Sequence, residues 1–300
     1  MKRKTAVELL YWLLAFPVAT VLLLELVLQA ASYANQHFSA QDEPASWLTD
    51  NLRIVAIGDS NTYGLYLQPL ESYPKQLESL WNSSHEKKLE VINLGYPGSN
   101  SSRVVANLPE VIQRLQPDII LVMIGTNDEW TAPITAADAV KHQQHWWSAL
   151  QSHSRVYRLY CLVTTPPAEQ VKAEQFDVGM TMRGQEHQHY DAKAGLRENL
   201  AFLMQQAPRY DTRIILLSYA ADRSYYRLAN SILRETVQQQ GYKDFIDVTP
   251  AFAGLMPPKG EANEYFFNDL HATAKGNALV AQTVLLGLET LLDVRAENTQ

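Results

Sequence analysis

Hydrophobic residues along this chain fall into short solid runs, separated by longer stretches in which they recur at helical spacing. Most of the runs close on polar residues and glycine. Ile54–Ile57 is such a run, β-branched and ended by Gly58, and it reads as a fully buried strand. Leu70–Trp81, with Tyr73, Leu77, Leu80 and Trp81 at helical spacing, predicts the first helix. Leu89–Leu94 predicts a second strand, closed by GYPGSNSSRV, whose serines open a helix through Asn107–Leu115. Asp118–Ile124 is a third strand without alternation, the pattern of a strand covered on both faces. A long amphipathic helix over Ala136–Gln151 and a fourth strand over Val156–Val163 come next. Ala168–Gly195 is polar, rich in Gln, Glu and His, and reads as an insertion or lid at the rim of a cleft. Beyond it the pattern predicts a helix over Leu196–Gln206, a strand over Arg213–Ser218 and a helix over Ser224–Gln240 stopped by Gly241. A short strand, Asp244–Val248, and a final helix, Asn277–Leu292, complete the domain. Strands alternating with helices predict a three-layer α/β domain around a doubly wound, mostly parallel sheet with right-handed crossovers.

One stretch breaks this rhythm. Lys2, Arg3 and Lys4 precede an almost unbroken apolar run from Leu9 to Leu24, which continues after Glu25 as LVLQAA. A helix of that length can cross a hydrocarbon core of roughly 30 Å. The basic residues ahead of it orient the N-terminus toward the cytoplasm and the rest of the chain toward a periplasmic or extracellular space. Pro17 kinks such a helix without excluding a span. Glu25 falls near its outer end, where it can reach the interface or a partner. Ala30–Ala34 also offers small residues for cleavage as a signal peptide, though the apolar region is long for one. The chain therefore divides into a cytoplasmic tip and single-pass anchor (1–34), a linker (35–51), an α/β domain (52–294) and a tail (295–300).

Three hundred residues, 46% hydrophobic and 19% charged, suffice for one large domain with a real core and argue against wholesale disorder. A net charge of -7, with no Lys/Arg cluster beyond the first four residues, argues against a nucleic-acid surface. The single cysteine, Cys161, permits no intramolecular disulfide and lies in an apolar run that suits a buried small side chain. His142 and His145 sit three apart beside Trp146 and Trp147, but no carboxylate or third histidine follows at a matching spacing, so no metal site is read there. His187 and His189 lie in the lid stretch. No phosphate-cradling loop or dinucleotide fingerprint is present, and no cofactor is implied.

Candidate chemistry gathers at the ends of the first three strands. Gly58, Asp59 and Ser60 follow the first, Gly95 and Gly98 flank Pro97 after the second, and Gly125-Thr126-Asn127-Asp128 follow the third. In an open parallel sheet these carboxyl-terminal loops meet where ligands bind. GDSNTYG, NLGYPGSNS, GTND and, before the last helix, DLHATAKGN resemble in order the four blocks of the SGNH (GDSL) serine esterases and lipases. The resemblance implies a flavodoxin-like fold, Ser60 as nucleophile and His271 as base. It also implies an oxyanion hole from the Ser60 and Gly95 backbones and the Asn127 amide. A histidine near neutral pH can take the proton that keeps a serine hydroxyl a poor nucleophile. The departure lies at the family's aspartate three residues before the histidine, which here is Asn268, while Asp269 stands two before. Asparagine can fix the imidazole tautomer but brings no charge, and Asp269 in a helical turn would point away from the ring. Asp269 is the favoured orienting group. Singly, Gly95 and Gly125 read as turn glycines, Asn127 and Asp128 as a helix N-cap pair and His271 as a surface residue. Their joint order makes the chemistry.

The resulting expectation is a membrane-anchored ester hydrolase acting outside the cytoplasm on a small-molecule or glycan ester, such as O-acylated cell-wall material. An acyltransferase would use the same residues. A non-catalytic module keeping the fold, and a cytoplasmic thioesterase or lysophospholipase, are the alternatives.

Overall fold

The computed structural model describes residues 15–30, 51–129, 156, 191–210 and 212–297. Two compact units separate, a smaller one of Met1–Asp50 with His145–Thr165 and a larger one of Asn51–Gln144 with Pro166–Gln300. The helix expected over Ala136–Gln151, Cys161, the four histidines at 142, 145, 187 and 189, and most of the lid stretch lie outside the described residues. Of the strand expected over Val156–Val163 only Val156 is described, and it is helical.

In the smaller unit, residues 15–30 form a helix, α1. Among the described residues no helix is long and apolar enough to cross a membrane. The stretch expected to span runs past α1 at both ends. Apolar side chains of α1 are left open, with Phe16 70%, Leu23 64% and Leu26 67% exposed. The Glu25 carboxylate accepts from Gln29 Nε2 (2.8 Å) and from the Val156 N–H (2.9 Å).

In the larger unit the strands are β1 (Leu52–Gly58), β2 (Leu89–Gly95), β3 (Ile119–Met123), β4 (Arg213–Leu217) and β5 (Phe245–Ile246). All are parallel, in the order β2–β1–β3–β4–β5. The helices are α2 (Ser60–Tyr63), α3 (Tyr73–Ser84), α4 (Ser101–Leu115), α5 (Ala192–Gln206), α6 (Ser224–Gln240) and α7 (Ala274–Glu297). Alternate residues of a strand face opposite sides of the sheet, and both sides are dry. Val55 and Ile57 join Val104, Leu108, Leu200 and Ile232 beneath α4, α5 and α6. Ile54 and Ala56 join Leu77, Trp81, Val284 and Leu288 beneath α3 and α7. This is the expected three-layer arrangement.

The site follows from the register. Gly58 lies level with Gly95 on one side and Met123 on the other, so the three loops leave the sheet side by side. The chain passes from β1 to β2 on one flank and then to β3 on the opposite flank, which opens a crevice at the carboxyl ends of β1 and its neighbours.

The boundaries agree with the pattern at some ends and depart from it at others. The first helix begins at Tyr73 rather than Leu70, after a 3-10 turn at Pro69–Glu71. α4 starts at Ser101 because Asn100 Oδ1 accepts the Arg103 N–H at 3.0 Å. α5 starts at Ala192, inside the stretch read as lid, because Asp191 Oδ1 caps Lys193 N (3.0 Å) and Ala194 N (3.2 Å). α6 ends at Gln240, with Gly241 left-handed at φ 61°.

Candidate active site

Ser60 opens α2 directly beyond β1, with Asp59 as N-cap. The glycine before it matters for space rather than for a left-handed turn. A Cβ on Gly58 would lie 2.1 Å from Thr62 Oγ1 and 2.4 Å from the Met123 carbonyl oxygen. The left-handed turn comes at Gly64, φ 81°, which ends α2. The Ser60 hydroxyl lies 2.8 Å from His271 Nε2, across 211 residues of sequence.

Asp59 reads from the sequence as a local backbone partner, and it is more than that. Fully buried, it accepts at Oδ1 from Asn61 N (2.9 Å) and Asn61 Nδ2 (3.0 Å), and at Oδ2 from Thr126 Oγ1 (2.8 Å) and the Tyr219 hydroxyl (2.6 Å). Burial, with Asp59 beside it, pushes the Tyr219 hydroxyl well above its ordinary pKa and keeps it a donor. The loop carrying Ser60 is thereby tied to the loop after β3 and to the end of β4.

Asp128 makes a second buried tie. Its carboxylate accepts from the Ser101 N–H (3.1 Å) and, at Oδ1, from the Ser101 hydroxyl. Asn199 of α5 donates to Ser101 Oγ (2.7 Å) and Ser102 Oγ (3.1 Å). Burial pushes the Asp128 carboxyl up to about 7; the Ser101 hydrogen bonds oppose the rise and the nearby Asp59 charge adds to it. Asp128 thus fastens the loop after β3 to the start of α4, which Asn199 in turn joins to α5.

Of the three expected oxyanion donors, the Ser60 N–H stands at the first position of α2 and makes no backbone hydrogen bond among the described residues. Asn127 Nδ2 donates to the Ser99 carbonyl (3.0 Å), which binds the third loop to the second. Gly95 differs. Its N–H donates to Asn93 Oδ1 (2.9 Å), and a Cβ there would lie 2.2 Å from Tyr63 N. Gly95 is a close-approach glycine between β2 and α2, with its N–H occupied. Gly98, three residues on, is left-handed at φ 82°, and among the described residues its N–H makes no hydrogen bond. Two glycines around Pro97 look alike in the sequence, and backbone conformation, packing and hydrogen bonding separate them.

Beside His271 the question of Asn268 or Asp269 is decided by a turn. Phe266 and Ala272 pair antiparallel, Phe267 N–H donates to the His271 carbonyl (2.8 Å) and Leu270 N–H to the Phe267 carbonyl (3.0 Å). Leu270 is left-handed, φ 72°, so residues 267–271 form a tight reversal and not the helical turn that would aim Asp269 away. Asn268 is exposed. Asp269 Oδ1 accepts the His271 backbone N–H (3.1 Å), and Oδ2 lies 3.0 Å from His271 Nδ1. The two atoms lie close enough to attract each other whenever the ring carries its second proton, although Nδ1 is poorly aligned for a hydrogen bond. Partial burial raises the Asp269 pKa, but the His271 backbone N–H, the His271 ring and the Tyr66 hydroxyl outweigh it and hold the carboxyl below its ordinary value.

A parallel α/β sheet with a serine–histidine contact at its carboxyl edge is the setting of an ester-cleaving site. Residues 56–279 match the GDSL-like lipase/acylhydrolase family, and the chain belongs to that family, a class of esterases and acylhydrolases. The chain is 31% identical over 75 residues to the thioesterase 1/protease 1/lysophospholipase L1 of Escherichia coli (strain K12), a match covering 25% of this chain and 34% of that relative. The match thus spans about a third of the curated relative's length. Among solved structures, the psychrotrophic esterase from Pseudoalteromonas sp. aligns at 14% identity and TM-score 0.49 over 81% of this chain and 100% of the other. The lipase/acylhydrolase from Enterococcus faecalis aligns at 16% identity and TM-score 0.49 over 80% and 96%.

Proposed function

We propose that the protein is a serine ester hydrolase in which Ser60 attacks the ester carbonyl and His271 takes its proton. The observation that carries this reading is the 2.8 Å contact between Ser60 Oγ and His271 Nε2. Attack forms the Ser60 Oγ–carbonyl bond and moves the hydroxyl proton to Nε2. Collapse expels the alcohol, which leaves with that proton, and an acyl-Ser60 ester remains. Water, activated by the same nitrogen, then releases the acid and restores the serine. Negative charge on the carbonyl oxygen is received by the Ser60 N–H, the Asn127 amide and the Gly98 N–H, the last replacing Gly95, whose N–H is occupied. Asp269 supplies the charge that steadies the imidazolium, which counts against a non-catalytic module. Acyl transfer to a sugar hydroxyl would use the same groups.

The apolar N-terminal stretch is proposed to anchor the chain with its N-terminus in the cytoplasm and the hydrolase outside. The open apolar side chains of α1 and the partnered Glu25 are consistent with this. That location favours short acyl esters on glycans or cell-wall material as substrate.

The test uses the full-length chain beside Ser60→Ala. Hydrolysis of p-nitrophenyl acetate and one fluorophosphonate adduct by intact mass are expected for the wild type, and a drop of about 10⁴-fold or more with no adduct for the variant. Equal behaviour of the two proteins would overturn the assignment. Protease digestion of intact and opened membrane vesicles tests the orientation.

A further inference from the structure

Tyr66 belongs to none of the four sequence blocks, and it is 64% exposed. Yet its backbone is left-handed, φ 71°, a conformation bulky residues rarely enter. A turn closed by Leu67 N–H on the Gly64 carbonyl (3.0 Å) puts Tyr66 at its third position, where glycine or asparagine is usual. Leu270, the residue that follows Asp269, is also left-handed. Two such residues therefore adjoin one carboxylate, and strain of this kind collects at functional sites.

The Tyr66 hydroxyl donates to Asp269 Oδ2 at 3.0 Å, the same oxygen that lies 3.0 Å from His271 Nδ1. Its ring meets the His271 ring edge to face at 5.7 Å and the Phe267 ring at 5.4 Å. Asp269 has a side chain 37% exposed, and the imidazole is not aligned to hold it by a hydrogen bond. Two hydrogen bonds fix the carboxylate: the His271 backbone N–H at Oδ1 and the Tyr66 hydroxyl at Oδ2. Only the second controls the oxygen next to the ring. We infer that Tyr66 is a positioning residue, whose hydroxyl keeps Asp269 Oδ2 beside His271 Nδ1 and without which the carboxylate turns to water. The titratable groups that face Asp269 are Tyr66 from the α2 loop, His271 from its own turn and Tyr226 from α6, which feels its charge.

This inference rests on the esterase reading, and the experiment separates the two. Wild type, Tyr66→Phe, Asp269→Asn and the double variant are compared as full-length proteins on p-nitrophenyl acetate. Tyr66→Phe keeps the ring and removes only the hydroxyl. It is expected to lower kcat about 3- to 10-fold with KM within about twofold, the effect of one ordinary hydrogen bond lost at a site open to water. The acid limb of its kcat/KM profile is expected to move to lower pH, because a base that loses a neighbouring anion protonates less readily. In the Asp269→Asn background the same substitution is expected to do nothing further. Equal effects in both backgrounds, an effect on KM alone, an unmoved acid limb or no effect would overturn the positioning role. An inactive wild type would instead overturn the esterase reading.

Discussion

Asp59 and Asp269 each stand within two residues of a side chain of the site, and the protein holds them in opposite ways. Asp59 has no exposed surface and receives four donors from three segments, so the loop bearing Ser60 is built into the core. Asp269 lies at the rim, held by one turn and one tyrosine. A nucleophile must be placed against donors that cannot move, whereas a base has to swing between the serine and the leaving group. Buried wiring on one side and a small surface turn on the other suit those two needs.

The largest expected contrast comes from removing each carboxylate. Asp59→Ala leaves the Thr126 and Tyr219 hydroxyls buried without their acceptor and should cost about 3–5 kcal/mol. For a domain of this size that is a fall in Tm of roughly 10 °C. Asp269→Asn should lower kcat about tenfold or more while moving Tm by no more than about 2 °C, since a rim group contributes little to stability. Thermal unfolding read beside ester hydrolysis checks both. Comparable losses of Tm would end the contrast.

Next in size is Asn127→Ala. Its amide binds the second loop through the Ser99 carbonyl and is proposed to receive the oxyanion, so kcat should fall about 10²- to 10³-fold. A fall that appears in Tm but not in kcat would reduce Asn127 to a loop tie.

The last contrast is a pH dependence on the wired side. The Asp128 pKa is raised in the folded protein to about 7, above its ordinary value of 3.8, so the native state holds the extra proton. Its contribution to stability is therefore complete below about pH 4 and is lost as pH rises through about 7. Asp128→Asn, neutral at every pH, should remove that loss. The Tm difference, variant minus wild type, should grow between pH 4 and 8, and a difference that stays flat would show that Asp128 does not carry it.

Much of this site is legible in the linear chain because each motif is a local event. A β-branched run ended by glycine is a buried strand ending at the crevice, and Gly241 stops α6 where the pattern places it. The limits of reading along the chain show at particular residues. Asp191 draws α5 four residues back into a stretch that looks like lid, because a capping side chain outweighs a weak periodic signal. Gly95 and Gly98 are indistinguishable until the Asn93 side chain takes one N–H and leaves the other.

Residues close in sequence pointed to the layered parallel sheet, to the meeting of three loops at its carboxyl edge and to Ser60, Asn127 and His271 as candidates. The sheet and the meeting of its loops follow from hydrophobic periodicity and turn residues, which act within a few positions of the chain, and the candidates follow from the resemblance of four short motifs to a known family. The folded backbone settled the rest: the left-handed Leu270 turns Asp269 rather than Asn268 toward the imidazole, and contacts between distant residues supply the Tyr66 hydroxyl that holds it and the Tyr219 and Thr126 donors beneath Ser60. A hydrogen bond that spans 160 or 203 residues depends on where the fold brings two groups together, which no local pattern can encode.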